Sequence, residues 1–324
     1  MKHLRTKFMS SLAVFALAMA PALAQESAPA KEEVKSVTFK SKGLAVNDKV
    51  VVTGKSSMSQ TMKVESDGQV LMENKSSTES NIRSTCVVKA AKEGKPTKVS
   101  IVFNKIEIEE EDPMAEMQGV ESKSAKVQAL DGKSFLLNLS AAPIAVTDLK
   151  GEEVPESEAK TVRERLVSKS GKFIGFGPDV SKAIPDGAMK IGTKIELTPY
   201  LIADILGMTD DDQIGDPKEF ISGSMTLTGT RKVLGHECGV FEVKMKLDGS
   251  PETEGGPELQ IKGSPTGELL VGLENKWVYR ADAKGDINFT GEMEQGEMII
   301  ELDGSAKIKS NTVSIFSKDK PKAE

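Results

Sequence analysis

The chain has 324 residues, with 43 Lys and Arg against 49 Asp and Glu. Three basic residues and no acidic ones fall in residues 1–24, which leaves 40 against 49, a net charge of −9, for residues 25–324. That balance argues against nucleic acid and anionic lipid surfaces as partners, since both are bound through basic patches. Aromatic residues are only 4% of the chain and Met numbers 14, so the core must be built from Val, Ile, Leu and Met.

The chain opens with the three parts of a signal peptide. Lys2, Arg5 and Lys7 make a positive start, Phe8 to Ala20 is apolar, and Pro21-Ala22-Leu23-Ala24 has the small-x-small pattern of a cleavage site. The apolar run is shorter than the ~20 residues a bilayer-spanning helix needs. Gln25 stands where a lipoprotein would have Cys. Residues 1–24 are therefore expected to be removed, residues 25–36 to form a disordered leader, and the mature chain to be periplasmic or secreted. No second segment is apolar for long enough to span a membrane, so an integral membrane protein is not expected.

From residue 37 to 318 a period-two alternation dominates, the pattern of half-buried strands. Met58, Gln60, Met62 and Val64 lead into Asp67-Gly68, and Val70 and Met72 leave it; Asp-Gly between alternating runs is a strong hairpin signal. Val99, Ile101 and Phe103 form a strand that changes phase near Lys105 and continues as Ile106 and Ile108. Asp131-Gly132 precedes Phe135, Leu137 and Leu139. Phe241, Val243, Met245 and Leu247 run up to Asp248-Gly249. After Leu269, Val271 and Leu273, turns are expected at Glu274-Asn275, Lys284-Gly285, Gln295-Gly296 and Asp303-Gly304, giving a meander with a turn every ten residues or so.

Two short helices interrupt the strands. Residues 157–169 place Ala159, Val162, Leu166 and Val167 on one face. Residues 199–206 start at Pro199, stop at Gly207 and are nearly all apolar, with Leu201, Ile202, Ile205 and Leu206 all seeking burial. The fold class is therefore mainly β, a large curved antiparallel sheet or half-barrel with two short helices inserted mid-chain. Asn47-Asp48-Lys49 before Val50–Val52 and Ile191-Gly192-Thr193-Lys194 before Ile195 and Leu197 form a weak internal echo, so the domain reads as two related halves, 37–150 and 185–318.

Cys86 and Cys238 are a candidate disulfide in an oxidising compartment, worth roughly 5 kcal/mol in the chain-entropy model; two buried free thiols are the alternative. Cys86 shares its phase with Ile82 and Val88 and points inward. Cys238 is out of phase with Phe241, Val243, Met245 and Leu247, so the bridge requires a bulge at Gly239.

Catalysis and metal binding find little support. After cleavage His236 is the one histidine, and His236-Glu237-Cys238 on a strand would alternate faces rather than converge on a metal. Glu107, Glu109, Glu110, Glu111 and Asp112 read as a solvated edge. Asp210-Asp211-Asp212 with Asp216 lacks the spacing of a calcium loop. Met114 and Met117 make a poor copper site, and Gly175-Phe176-Gly177 is a loop. Met58, Met62, Met72, Met225, Met245, Met293 and Met298 lie along strand faces, as core filling or as an adaptable lining for a ligand.

Short stretches carry a resemblance. They are Ala45-Val46-Asn47-Asp48-Lys49, then Met189-Lys190-Ile191-Gly192-Thr193-Lys194 with Pro185-Asp186 before it, and Ser264-Pro265-Thr266-Gly267-Glu268. With these and its layout the chain resembles exported bacterial β-rich proteins of the periplasmic lipoprotein-carrier (LolA-like) fold, a curved antiparallel sheet with helices over its concave face. The resemblance implies a non-catalytic binding protein without a cofactor, holding an acyl chain, lipoprotein or other apolar ligand between sheet and helices. The lid candidates are then Val162, Leu166, Leu201, Ile202, Ile205 and Leu206. A structural or interaction module of the cell envelope with a protein partner is the second reading, and a carboxylate- or His236-based hydrolase the third.

Overall fold

The computed structural model describes residues 36–111, 123–168, 171–208, 215–251, 258–295 and 298–318. The expected signal peptide, the leader through residue 35, Met114, Met117 and Asp210-Asp211-Asp212 lie outside the described residues, as do the side chains of Met293 and Met298. The strands are β1 (Ser36–Phe39), β2 (Asp48–Ser66), β3 (Gln69–Lys92), β4 (Lys95–Glu111), β5 (Ser134–Asn138), β6 (Ala145–Thr147), β7 (Gly187–Lys190) and β8 (Lys194–Glu196). They continue as β9 (Ile221–Val233), β10 (His236–Gly249), β11 (Glu258–Gly263), β12 (Thr266–Gly272), β13 (Val278–Gln295) and β14 (Met298–Lys318). Twelve form one antiparallel sheet in the order β6-β5-β4-β3-β2-β14-β13-β11-β10-β9-β8, with β12 between β10 and β13; β1 pairs with β7 in a small second sheet. The fold is mainly β, a large curved antiparallel sheet with short helices inserted.

Several expected features are present. Asp67 and Gly68 take φ of 51° and 72°, the left-handed pair that a tight hairpin with correctly twisted arms requires. The phase change in β4 is a bulge: Arg83 faces Lys105 and Ser84 faces Phe103, so Asn104 is the extra residue. Both helices form, α2 over Glu156–Leu166 and α3 over Pro199–Leu206. Thr198 caps α3 by accepting from Leu201 N at 3.3 Å, and Gly207 closes it at φ 73°. A helix not foreseen, α1 (Lys123–Gln128), has six residues, too short for an apolar period to show.

Two expected turns are absent: β13 runs on through Lys284-Gly285 and β14 through Asp303-Gly304, while β10 ends at Asp248-Gly249. All three glycines allow close packing against the backbone. A Cβ on Gly304 would lie 2.1 Å from the Phe289 ring, one on Gly285 2.6 Å from Pro265, and one on Gly249 2.4 Å from the Glu219 carbonyl. Asp131-Gly132 turns out of α1 rather than joining two strands.

Two large apolar clusters fill the concave side. One joins the inner faces of β3, β4 and β5 to α1 and α2 through Ile82, Ile101, Phe103, Leu137 and Val162. The other joins β9–β14 to α3 and to β1, whose Phe39 ring packs 5.7 Å from Phe241 and closes over Gly239. A smaller third cluster holds Cys238, Val240, Leu270 and Tyr279.

The candidate disulfide does not form: Cys86 and Cys238 are both buried free thiols. Gly239 makes no bulge, since it keeps regular partners in Thr230 and Val271. The register shift nearby belongs to β9, where Thr228 is the unmatched residue. Cys238 therefore stays out of phase with Phe241 and joins the third cluster, while Cys86 belongs to the cluster under α2.

Candidate functional site

Along the middle strands the inner face changes character. The facing residues on β3, β2 and β14 are Ile82, Gly54 and Thr312 in one row, Ser80, Ser56 and Ser310 in the next, and Ser84, Val52 and Ser314 on the other side. Ser56 and Ser80 share a 2.6 Å hydrogen bond between their buried hydroxyls. Such short side chains cannot fill the space that Leu or Phe fill elsewhere, so a hollow remains where the two large clusters meet.

That hollow is a cavity of about 90 Å³. Its floor is Val52, Gly54, Ser84, Ala281, Ser310 and Thr312, and Ile82 and Phe103 stand at one side. Leu166 and Arg165 from α2 and Ile205 and Asp204 from α3 form the opposite wall with Ile174, Gly175, Gly177, Pro178 and Gly207 at the end of α3. Glycine lets this last stretch lie close to the sheet. Gly175 carries the Phe173 ring where a Cβ would be, 2.3 Å from Cζ, and its carbonyl accepts from Cys86 Sγ at 3.3 Å. Gly177 takes φ 90°, a conformation that side chains rarely adopt.

Asp204 is the unusual group. It is 8% exposed, in the middle of an otherwise apolar helix, and its Oδ1 has no hydrogen-bond partner. Burial pushes its carboxyl above the usual carboxylate range, against the opposing pull of a hydrogen bond from Ser168 and the charge of Lys172, while Asp179 adds to the rise. The cysteines are inert by the same physics: burial raises the Cys86 thiol to about 12 and, with Glu237 adding, the Cys238 thiol to about 11.

Of the six lid candidates, Leu166 and Ile205 line the cavity. Val162 is fully buried in the first cluster, Leu201 and Ile202 are buried in the second, and Leu206 packs against the second. They anchor the helices rather than face the space. The hydroxyl floor, Arg165 and Asp204 were not singled out from the sequence; an Asp alone inside an apolar eight-residue helix is the signal that marks the last of them. His236 is exposed at the start of β10 and stacks on Tyr279 at 4.6 Å, away from the cavity. Among the described residues no three His, Cys, Asp or Glu are placed to hold a metal, and no helix is long and apolar enough to cross a membrane.

No family model and no curated protein matches the chain. Among solved structures it is similar to lipovitellin, in a structure of its lipid–protein interactions, with a TM-score of 0.39 and 6% identity over 86% of this chain. The chain spans about a quarter of that one's length, 26%. The outer membrane protein OprG from Pseudomonas aeruginosa aligns over 85% of this chain and 99% of its own at 8% identity and a TM-score of 0.18. A LolA superfamily protein from Nitrosomonas europaea aligns over 78% and 85% at 10% identity and a TM-score of 0.15. Likenesses this distant carry no weight for what the chain binds.

Proposed function

We propose that this chain is an exported, non-catalytic binding protein that holds the apolar part of a ligand between its sheet and its helical layer. The observation that supports it is the cavity itself: the interior is left unfilled at the place where α2 and α3 cross the sheet, and both helices contribute to its wall. Apolar burial at ~25 cal/mol per Å² supplies the driving force. Ligand pockets usually span ~300–1,000 Å³. At about 90 Å³ the space takes the end of an alkyl chain, and a whole acyl chain enters only when the helical layer moves outward. Gly177 at φ 90° and Gly207 at φ 73° stand at the joints of that layer, where backbone angles can change at low cost.

A second reading, an interaction module of the envelope, draws on a different feature. Val70 and Leu71 just after the β2–β3 turn and Ile299 near the start of the neighbouring β14 are all more than half exposed. Single exposed apolar residues are ordinary, and these three stand near one end of the same paired hairpins. Native mass spectrometry of protein purified from the envelope fraction or medium of its own cells separates the two. A co-purified small mass, and uptake of an apolar dye by the emptied protein, are expected for the binding protein. A single bare mass with no dye uptake overturns it.

A further inference from the structure

We propose that the protein docks on a bilayer surface rich in anionic headgroups, through the rim of the sheet that carries the β3–β4, β9–β10 and β12–β13 turns. This surface is separate from the cavity, and neither needs the other.

The net charge of −9 over residues 25–324 is an average over two unlike rims. Antiparallel pairing puts the three turns, the start of β2 and the end of β14 at one rim. The segment between β1 and β2 crosses it. Lys40 N donates to the Leu273 carbonyl at 2.8 Å, Leu44 N to the Gly94 carbonyl at 3.0 Å and Asn47 N to the Val88 carbonyl at 2.9 Å. Lys40, Lys42, Lys89, Lys92, Lys95 and Lys232 are exposed here, and none is in an ion pair among the described residues. The exposed acids beside them are Glu93, Glu237 and Glu274. The opposite rim, at the β2–β3 turn and the end of β4, is acidic. Glu65, Asp67, Glu109, Glu111, Glu292 and Glu301 lie there, and its Lys63 and Lys75 pair with Glu65 and Glu73. Lysines of the first rim thus face a solvent-side field that the net charge conceals.

Apolar groups are set among those lysines. Leu234 is 53% exposed at the β9–β10 turn, Val46 47% on the crossing segment and Ile315 44% near the end of β14. Trp277, the one tryptophan, is partly exposed in the β12–β13 turn. Its ring stacks on Phe316 at 4.4 Å, its indole N–H donates to the Lys42 carbonyl at 3.0 Å, and the Lys42 ammonium lies 5.8 Å from the ring centre. Lysine, aliphatic and indole groups side by side suit the level of a bilayer where headgroups meet acyl chains. Nucleic acid is a poorer match, because its recognition favours free arginines and open aromatic faces. Arg231 and Arg280 are held by Glu268 and Asp282, and the Trp277 ring is already stacked.

The test mixes protein purified from its own cells with phosphatidylcholine vesicles, with and without phosphatidylglycerol, whose acyl chains carry bromine. Bromine quenches indole emission only at close range, so Trp277 reports whether this rim meets the acyl chains. Binding with quenching is expected when phosphatidylglycerol is present, neither without it, and reversal in ~1 M salt, where charges are screened beyond roughly 3 Å. Each lysine near an anionic surface strengthens binding about fivefold. Lys92→Gln, Lys95→Gln and Lys232→Gln together are therefore expected to weaken it about a hundredfold. Lys63→Gln, Lys75→Gln and Lys307→Gln remove the same charge from the other half of the sheet and are expected to leave binding unchanged. None of the six is buried, so both variants keep the core, and contributions from the rest of the chain cancel between them. No binding to phosphatidylglycerol vesicles, equal binding without phosphatidylglycerol, or binding without quenching overturns the inference. Equal weakening by the two variants overturns it as well, as does capture of an acidic protein by this rim while vesicles are ignored.

Discussion

Filling the cavity from its floor separates a ligand site from a packing flaw. Ser310 lies on the inner face of β14 beside Ser56 of β2 and Ala283 of β13, both small, so Ser310→Leu puts a branched side chain into open space rather than into a neighbour. An empty cavity costs ~24 cal/mol per Å³, so filling the 90 Å³ here returns at most about 2 kcal/mol. For a chain of this size that is a rise of about 4–8 °C in Tm, since each kcal/mol moves the midpoint by roughly 2–4 °C. Thermal unfolding followed by circular dichroism reads the stability, and dye titration reads the binding. The variant is expected to be more stable and to lose dye binding together. A lower Tm with dye binding unchanged would show that the space is not there to be filled and that the dye sits elsewhere, which refutes the reasoning.

Asp204→Asn replaces a carboxyl that burial resists ionising with a neutral group of the same shape, and should raise the urea midpoint at neutral pH. The native carboxyl holds its proton above the unfolded value, so its contribution is whole in acid and is lost as pH rises through the raised native value; the advantage of the variant in urea midpoint should therefore shrink toward zero as pH falls. Lys276 is buried, with Nζ donating to the Ile184 carbonyl at 2.5 Å and pairing with Asp186 at 2.9 Å, while Asp186 also accepts from Ser41. Lys276→Met should destabilise by about 1–3 kcal/mol and speed amide exchange in β1 and β7, because this bond ties the β12–β13 turn to the segments that carry both strands. Bonding to Lys276 and Ser41 holds Asp186 below its usual range, so the latch keeps its strength above the ordinary carboxylate pKa and weakens as pH falls through the lowered native value. Ellman's reagent should find two thiols per chain in denaturant and none in the native protein; a chain with no titratable thiol in denaturant would mean that the bridge exists.

Features set by neighbours in the chain were legible. Asp67-Gly68 makes its hairpin because both residues accept positive φ, and α3 is bounded by Pro199 and Gly207 for reasons local to each. Features set by neighbours in space were not. Gly285 and Gly304 look like turn residues, yet each is needed because Pro265 of the β11–β12 link or Phe289 of β13 presses on its backbone, and no local pattern shows that pressure. The cavity floor was hidden for a related reason. Gly54, Ser84, Ser310 and Thr312 lie in polar strand segments that resemble solvent-facing sheet, and only the α2–α3 layer turns them into a lining. The apolar helix residues were the visible ones, and most of them anchor the helices instead of lining the space.

The most direct measurement is a crystal structure of the protein with octanol bound. Alkyl density over Gly54, Ser310 and Thr312, beneath Leu166 and Ile205, is the expected result. Ligand density on the exposed Val70, Leu71 and Ile299 end, with the cavity bare, would contradict it.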